Sequence, residues 1–247
     1  MSVPPREYLR ATMSRTAMRI IPAVLVLILW ISGHERLALA LFCTVSALVA
    51  YLVLSPYTRL LGPVTTQMPD RETPLITIDD GPHPETTPAL LDLLDEHQTK
   101  AVFFVVGDRV NQWPDLAREI VRRGHVIGNH TMTHPAKSFW MLGPRGTWRE
   151  IADCQQAIQQ ATGVEARWFR APVGHYNFFT HPALRVLNLQ LMSWSARGLD
   201  GVDSNADRIV NRIIKHLRPG SIVLLHEGRP GSLTVAERVL SVAATAP

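Results

Sequence analysis

LITIDDGP, at residues 75–82, is an apolar, strand-like run that ends abruptly in two adjacent carboxylates, Asp79 and Asp80, and a Gly-Pro turn. Neighbouring carboxylates repel each other and are costly to desolvate, so a pair at a strand end indicates a bound cation or a proton-transfer role. Asp-Asp-Gly-Pro is also good turn chemistry, in which Asp caps the backbone and Pro fixes the exit. The stretch alone therefore leaves a functional site and a structural turn open.

The histidines of NHTMTH, residues 129–134, favour the functional interpretation. His130 and His134 stand four positions apart, and on one turn of helix that spacing places both imidazoles on the same face. We therefore expect a helical turn here. One carboxylate and two histidines make a three-ligand site that keeps a coordination position for water, the pattern of catalytic rather than structural zinc.

Two further apolar runs end in a charged or titratable residue. WFRAPVG, residues 168–174, places Arg170 after an apolar pair, and IVLLHEG, residues 222–228, places His226 after four apolar residues. Strand-like runs alternate with helix patterns, which favours a parallel α/β domain. Because the carboxyl ends of the strands of a parallel barrel share one face, we expect these side chains to converge.

TIDDGP, HTMTH, RAPVG and LLH follow one another along the chain. Together they resemble the successive motifs of the polysaccharide deacetylases, the NodB-homology domains of carbohydrate esterase family four. Four ordered motifs are far more specific than one. The resemblance covers roughly residues 73–247 and implies a distorted (β/α) barrel of about seven strands. It also implies a metal-dependent hydrolase that removes the N-acetyl group from an amino sugar.

The resemblance assigns the cation and the base. Asp80, His130 and His134 would hold a divalent metal, with Zn²⁺ expected, and Asp79 would be the general base. Arg170 would pair with Asp79 and keep it ionised.

The remaining roles rest on positions where the chain departs from the family. His226 would protonate the leaving amine, and the backbone amide of Val173 would stabilise the oxyanion. Val173 stands where the family usually has Tyr, a change that keeps the amide. Asp200 would tune His226, but Gly201 stands where a Trp normally follows that Asp. We therefore expect a wider pocket.

Two apolar runs precede this domain, residues 20–32 and 37–54, separated by GHER. The second run can nearly span a bilayer, whereas the first is short unless Arg19 snorkels to extend it. We expect a membrane hairpin, preceded by a basic tail at residues 1–19 and followed by a Pro- and Gly-containing linker at residues 55–72. The alternative is a cleaved signal peptide, since residues 38–40 read Ala-Leu-Ala; the apolar run continues past them, which argues against cleavage.

Charge and topology limit the partners. The tail contributes net +3 of the total +4, so the remainder implies no basic face for nucleic acid and the partner is a membrane. By the positive-inside rule two spans would place the catalytic domain in the cytoplasm of a bacterium, facing a lipid-linked sugar, whereas a single span would expose it to an exported glycan. The side of the membrane that the catalytic domain occupies is left open.

The alternative functions are an O-acetyl esterase, an N-deformylase and, more distantly, a non-catalytic glycan-binding domain.

Overall fold

The computed structural model describes residues 2–243, except for the side chains of residues 18 and 19, so the expected placement of the Arg19 side chain lies outside the described part. The helices are α1 Arg6–Ile31, α2 Glu35–Leu54, α3 Thr86–Glu96, α4 Gly107–Gln112, α5 Pro114–Arg122, α6 Pro144–Thr162, α7 Thr180–Val186, α8 Ala206–Ile214 and α9 Ser232–Ala243. The strands are β1 Leu75–Gly81, β2 Ala101–Val105, β3 Val126–Asn129, β4 Trp168–Phe169, β5 Gln190–Leu191, β6 Ala196–Arg197 and β7 Ile222–His226.

The strands form one seven-stranded sheet in the order β5-β4-β3-β2-β1-β7-β6, and each pairing along it is parallel. Every residue of β1 and β2 is buried, as is typical of central strands in a parallel sheet whose two faces are both covered. This sheet confirms the predicted distorted barrel of about seven strands.

The parallel arrangement brings the predicted strand ends together. Asp79 of β1 lies opposite His226 in the register with β7. His130 directly follows β3, and Arg170 directly follows β4. All four residues therefore lie at the carboxyl edge of the sheet, as expected.

The helical turn expected at His130 and His134 is wrong. Strand β3 ends at Asn129, and the chain continues irregularly with left-handed backbone at Thr131 (φ 69°) and His134 (φ 53°). The Asn129 Oδ1 atom accepts a hydrogen bond from the Thr131 amide at 3.1 Å, and the Thr131 hydroxyl accepts one from the His134 amide at 3.2 Å. These side chains satisfy backbone donors in a turn, which competes with helix formation.

The N-terminal segments form a helical hairpin whose base packs on the α/β domain. The tail and the first apolar run, expected as separate segments, lie in one continuous helix, α1. The Ser2 amide donates to Asp153 at 2.6 Å, and the buried Tyr8 donates through its hydroxyl to the Pro144 carbonyl at 2.7 Å. Both α1 and α2 are long and apolar enough to cross a membrane, a test that a signal sequence also passes.

Residues 55–72 contain no helix and no named strand, but they pack against the domain. Leu61 and Val64 are buried in the main core. The Thr65 amide donates to the carbonyl oxygen of Leu191, in the edge strand β5, at 2.9 Å. The segment expected as a linker therefore connects the hairpin to the sheet through fixed contacts.

Candidate active site

Three predicted metal ligands meet at the carboxyl edge of the sheet. One ligand atom from each of Asp80, His130 and His134 lies within 4.8 Å of the others. The Asp80 Oδ1 atom is 3.6 Å from His130 Nε2 and 3.2 Å from His134 Nε2. We call this group the metal triad. Although the predicted helix is absent, the loop still brings both imidazoles to the same carboxylate.

The triad fits a divalent cation. Asp80 Oδ1 is buried and has no hydrogen-bond partner within residues 2–243, which is costly unless a ligand satisfies it. The Nδ1 atom of His130 lies 2.8 Å from the Arg170 carbonyl oxygen. That contact holds the proton on Nδ1, so the lone pair of Nε2 faces Asp80, the arrangement found for metal-binding histidines.

Protonation states also suit a cation. Burial, followed by the neighbouring His130, lowers the pKa of His134 to about 4, so its imidazole is neutral at pH 7. Burial by itself would raise the pKa of Asp80, but the nearby histidines and Arg229 lower it. The triad therefore offers one carboxylate and a neutral imidazole nitrogen near neutral pH, as metal ligation requires.

Asp79 and Arg170 form a buried ion pair beside the triad. The Arg170 Nη1 atom donates to Asp79 Oδ1 at 2.7 Å, and both side chains are almost fully buried. Arg170 also donates to the Thr77 hydroxyl at 2.7 Å and to the Ser193 carbonyl at 2.9 Å. A guanidinium held by several acceptors is a fixed counter-charge, which keeps the Asp79 carboxylate in one orientation.

His226 and Asp200 form a second coupled pair. His226 Nδ1 is 3.0 Å from Asp200 Oδ1, and the His226 amide donates to Asp200 Oδ2 at 2.7 Å. Burial would lower the pKa of His226, but the hydrogen bond to Asp200 and the surrounding carboxylates raise it above its ordinary value. The Nε2 atom remains without a protein hydrogen bond among the described residues.

A cavity of about 250 Å³ lies between the metal triad and the His226–Asp200 pair, and its lining includes the triad, Asp200 and His226. Val173 lies on its wall with a left-handed backbone (φ 51°). A Cβ atom at Gly201 would lie 3.7 Å from His226 Cε1, so a Trp at that position would cover the imidazole. The buried Trp194 ring instead packs against Gly174.

Strained backbone concentrates at this cavity. Four non-glycine residues that line it, Asp80, His134, Val173 and Leu199, have positive φ, between 51° and 72°. Each such conformation costs on the order of 1–3 kcal/mol and persists where surrounding contacts enforce it. Four of them around one cavity indicate that side-chain placement there outweighs backbone preference.

Three residues at the site carried too weak a signal to be predicted. Arg229 Nη2 lies 3.3 Å from Asp80 Oδ2, and Arg109 donates to the Asp80 carbonyl oxygen. Glu227 is buried beneath Gly81, where an added Cβ would overlap its carboxylate. The one local signal for Glu227 and Arg229 is that they stand one and three residues after His226.

Comparisons with known proteins agree with this geometry. The polysaccharide deacetylase family profile matches residues 67–192, half of the chain. A chitooligosaccharide deacetylase of Sinorhizobium fredii is 38% identical over 63% of this chain and 72% of its own length. A peptidoglycan-N-acetylglucosamine deacetylase of Bacillus cereus is 35% identical over 68% of this chain and 78% of its own.

A solved structure also matches. The peptidoglycan deacetylase PdaC of Bacillus subtilis superimposes with a TM-score of 0.65 and 27% identity, over 72% of this chain and 86% of that one. The protein studied here therefore belongs to the polysaccharide deacetylases, the NodB-homology domains of carbohydrate esterase family four, and is a hydrolase of carbon–nitrogen bonds other than peptide bonds.

Proposed function

We propose that this enzyme removes the N-acetyl group from an amino sugar and that a divalent cation on the metal triad is required. The observation that carries the proposal is that the metal triad and the His226–Asp200 pair line one cavity, with the Asp79–Arg170 pair buried directly beside the triad. Its relatives include a chitooligosaccharide deacetylase and a peptidoglycan-N-acetylglucosamine deacetylase. They support a glycan bearing N-acetylglucosamine as the substrate class.

Asp80, His130 and His134 would hold the cation, which would supply Lewis acidity for the amide carbonyl and for water near neutral pH. Asp79 accepts the proton of the attacking water, because the hydrogen bond from Arg170 holds its carboxylate in one orientation. The water oxygen forms a bond to the carbonyl carbon. The backbone N–H of Val173, a residue of the cavity wall, would donate to the developing oxyanion.

His226 completes the reaction. When the carbon–nitrogen bond breaks, the amine must receive a proton to depart, and the imidazole donates it. Asp200 raises the pKa of His226 and fixes its Nδ1 atom, so the proton for the substrate lies on Nε2. The products are acetate and the free amine of the sugar.

Acetate release tests this proposal. The detergent-solubilised protein, loaded with Zn²⁺, should release acetate from acetylated chitooligosaccharides or peptidoglycan fragments, and chelation should abolish the release. Asp79→Asn is the matched control, because it changes the base without removing a member of the triad. Equal release by the wild type and this variant would refute the assigned mechanism.

We further propose that the hairpin anchors the enzyme in a bacterial membrane. A cleavage site at residues 38–40 would cut inside the continuous helix α2, where Ala38 is fully buried. Both ends of the hairpin contact the catalytic domain, through Ser2 and Tyr8 at one end and through the Val53 carbonyl, which accepts from the Tyr176 amide, at the other. This supports an N-terminus and a catalytic domain on the same side.

Given that shared side, the arginines of α1 favour the cytoplasm. There the substrate would be a lipid-linked acetylated amino sugar. The position of the cavity supports this: Pro56 and Tyr57, just beyond α2, pack against Gly174 and Trp194, and Trp194 lines the cavity. The site thus opens next to the end of the proposed anchor.

Fusions at the C-terminus test the topology. A fluorescent protein that folds only in the cytoplasm should fluoresce, whereas a phosphatase that is active only outside should stay inactive. Strong phosphatase activity would contradict the cytoplasmic placement and would favour an exported polymer as substrate.

A further inference from the structure

A second cavity, of about 310 Å³, lies at the base of the hairpin and shares no lining residue with the catalytic cavity. Its walls come from α1, α7, the segment at residues 61–65 and the edge strand β5. Two arginines line it, Arg15 of α1 and Arg185 of α7, together with the neutral polar side chains of Thr65 and Gln190. We call it the hairpin-base cavity.

Neither arginine has a carboxylate partner among the described residues. Arg15 Nη1 donates to the carbonyl oxygens of Leu61 at 3.2 Å and Phe178 at 3.1 Å. Within residues 2–243, Arg15 forms no ion pair, and the Arg185 side chain forms neither an ion pair nor a hydrogen bond. Glu7 lines the adjoining cleft beside both arginines but lies beyond ion-pair distance of each. Two cations facing one cavity repel each other, and an anion between them would relieve the repulsion.

His181 also indicates that the electrostatic potential in the cavity is positive. It lies on the cavity wall, and its pKa is lowered to about 4 by burial and then by Arg15 and Arg185. The imidazole is therefore neutral at pH 7, so the positive charge of the cavity comes from the arginines. Thr65 and Gln190 add neutral hydrogen-bond donors that no protein group occupies among the described residues. Arginine forks with such donors match a phosphate group.

The place of the cavity suggests where the phosphate comes from. Ile20, five residues beyond Arg15 on α1, is more than half exposed, as are Ile21 and Leu27. At 1.5 Å per residue, Ile20 lies only about 7 Å further along the helix axis. In a membrane-anchored chain, Arg15 would thus lie at the level of the lipid headgroups, where anionic lipids attract arginine.

We propose that the hairpin-base cavity binds the phosphate of an anionic phospholipid, with Arg15 and Arg185 as the cationic contacts. The proposal rests on the membrane anchoring proposed above but not on the catalytic assignment. A lipid held there would fix the angle of the hairpin against the catalytic domain.

Ligand binding to the full chain in mild detergent tests the proposal. The probes are short-chain dihexanoyl phosphatidic acid, dihexanoyl phosphatidylcholine and inorganic phosphate, measured by calorimetry and by the shift in thermal unfolding. We expect phosphatidic acid to bind more tightly than inorganic phosphate, because its chains contact α1, and phosphatidylcholine to bind weakly. Arg185→Gln should weaken phosphatidic acid binding about tenfold, as expected for one lost charge-assisted contact.

Controls separate this site from the enzyme activity. Arg118→Gln removes an exposed arginine of α5 outside the cavity and should leave binding unchanged. Arg185→Gln should also leave acetate release from a soluble chitooligosaccharide unchanged, so a failure of the catalytic proposal would show separately. The substitution is made at Arg185 because its side chain has no hydrogen-bond or ion-pair partner among the described residues, whereas Arg15 donates to two backbone carbonyls. Unchanged binding in Arg185→Gln, or equal affinity for inorganic phosphate and phosphatidic acid, would overturn the lipid site.

Discussion

Glu227, the residue after the proposed general acid, should make the stability of this protein depend on pH. Its side chain is 1% exposed, and burial raises its pKa to about 7, although hydrogen bonds from Thr87 and Thr86 to Oε2 oppose the rise. The Oε1 atom has no hydrogen-bond partner in the part of the chain that the structure describes. The folded protein therefore favours the protonated carboxyl, which can be replaced by the isosteric amide of Gln.

The sign and size of the effect follow from linkage. The ordinary pKa is 4.5, so the folded state holds a proton that the unfolded chain releases between about pH 4.5 and 7. The stabilisation is fully present below pH 4.5 and is lost as the pH rises through 7. A rise of about 2.5 units, at about 1.4 kcal/mol each, corresponds to a loss of about 3 kcal/mol in the free energy of unfolding.

Urea unfolding in mild detergent with a chelator measures this loss. Wild type and Glu227→Gln should differ least near pH 5, and the variant should gain up to about 3 kcal/mol on the wild type by pH 8. Glu96→Gln, which changes an exposed carboxyl, is the matched control and should follow the wild type at both pH values. A constant difference between wild type and Glu227→Gln across this range would refute the reasoning.

Four further predictions concern the catalytic cavity. Alanine at any member of the metal triad should remove bound metal and activity together, whereas Asp79→Asn should keep the metal and lose hydrolysis. Metal content and acetate release, measured on the same samples, distinguish the two outcomes. Metal loss in Asp79→Asn would mean that the roles of Asp79 and Asp80 are exchanged. His226→Ala should lower the rate of hydrolysis about 10²–10⁴-fold on an acetamide sugar but much less on an activated acetate ester. Asp200→Asn should show a weaker form of the same pattern. Equal losses of rate on both substrates would argue against His226 as the general acid. Arg170→Met should lower the free energy of unfolding by about 3–5 kcal/mol by leaving the Asp79 charge unpaired, and adding Asp79→Asn should recover part of it; no recovery in the double variant would mean that the loss comes from packing. Gly201→Trp should fold, since its Cβ meets His226 at ordinary contact distance, and should reduce hydrolysis of propionyl and butyryl amides more than that of acetamides; an equal effect on all three would show that Gly201 does not set acyl size.

The sequence by itself determined strands β1, β4 and β7 and the positions of the main chemical groups. These strands read as apolar runs, and Asp79, Arg170 and His226 each interrupt such a run at its end. Since parallel strands share one carboxyl edge, convergence of these groups follows from order along the chain alone. Thr and Pro in the first turns of α3 and α5 are likewise local signals of a helix start.

Only the tertiary structure decided the loops, the attachment of the hairpin and the groups around Asp80. The spacing of His130 and His134 fits a helix locally, but the turn is set by the side chains of Asn129 and Thr131 and by the carbonyl of Arg170, forty residues away. Arg229 reaches Asp80 across 149 positions. Packing of Tyr8 on Trp148 likewise has no local signal. Local patterns specify periodicity and strand ends because these depend on neighbouring residues, whereas loop conformation and ion pairing depend on partners that folding alone brings within reach.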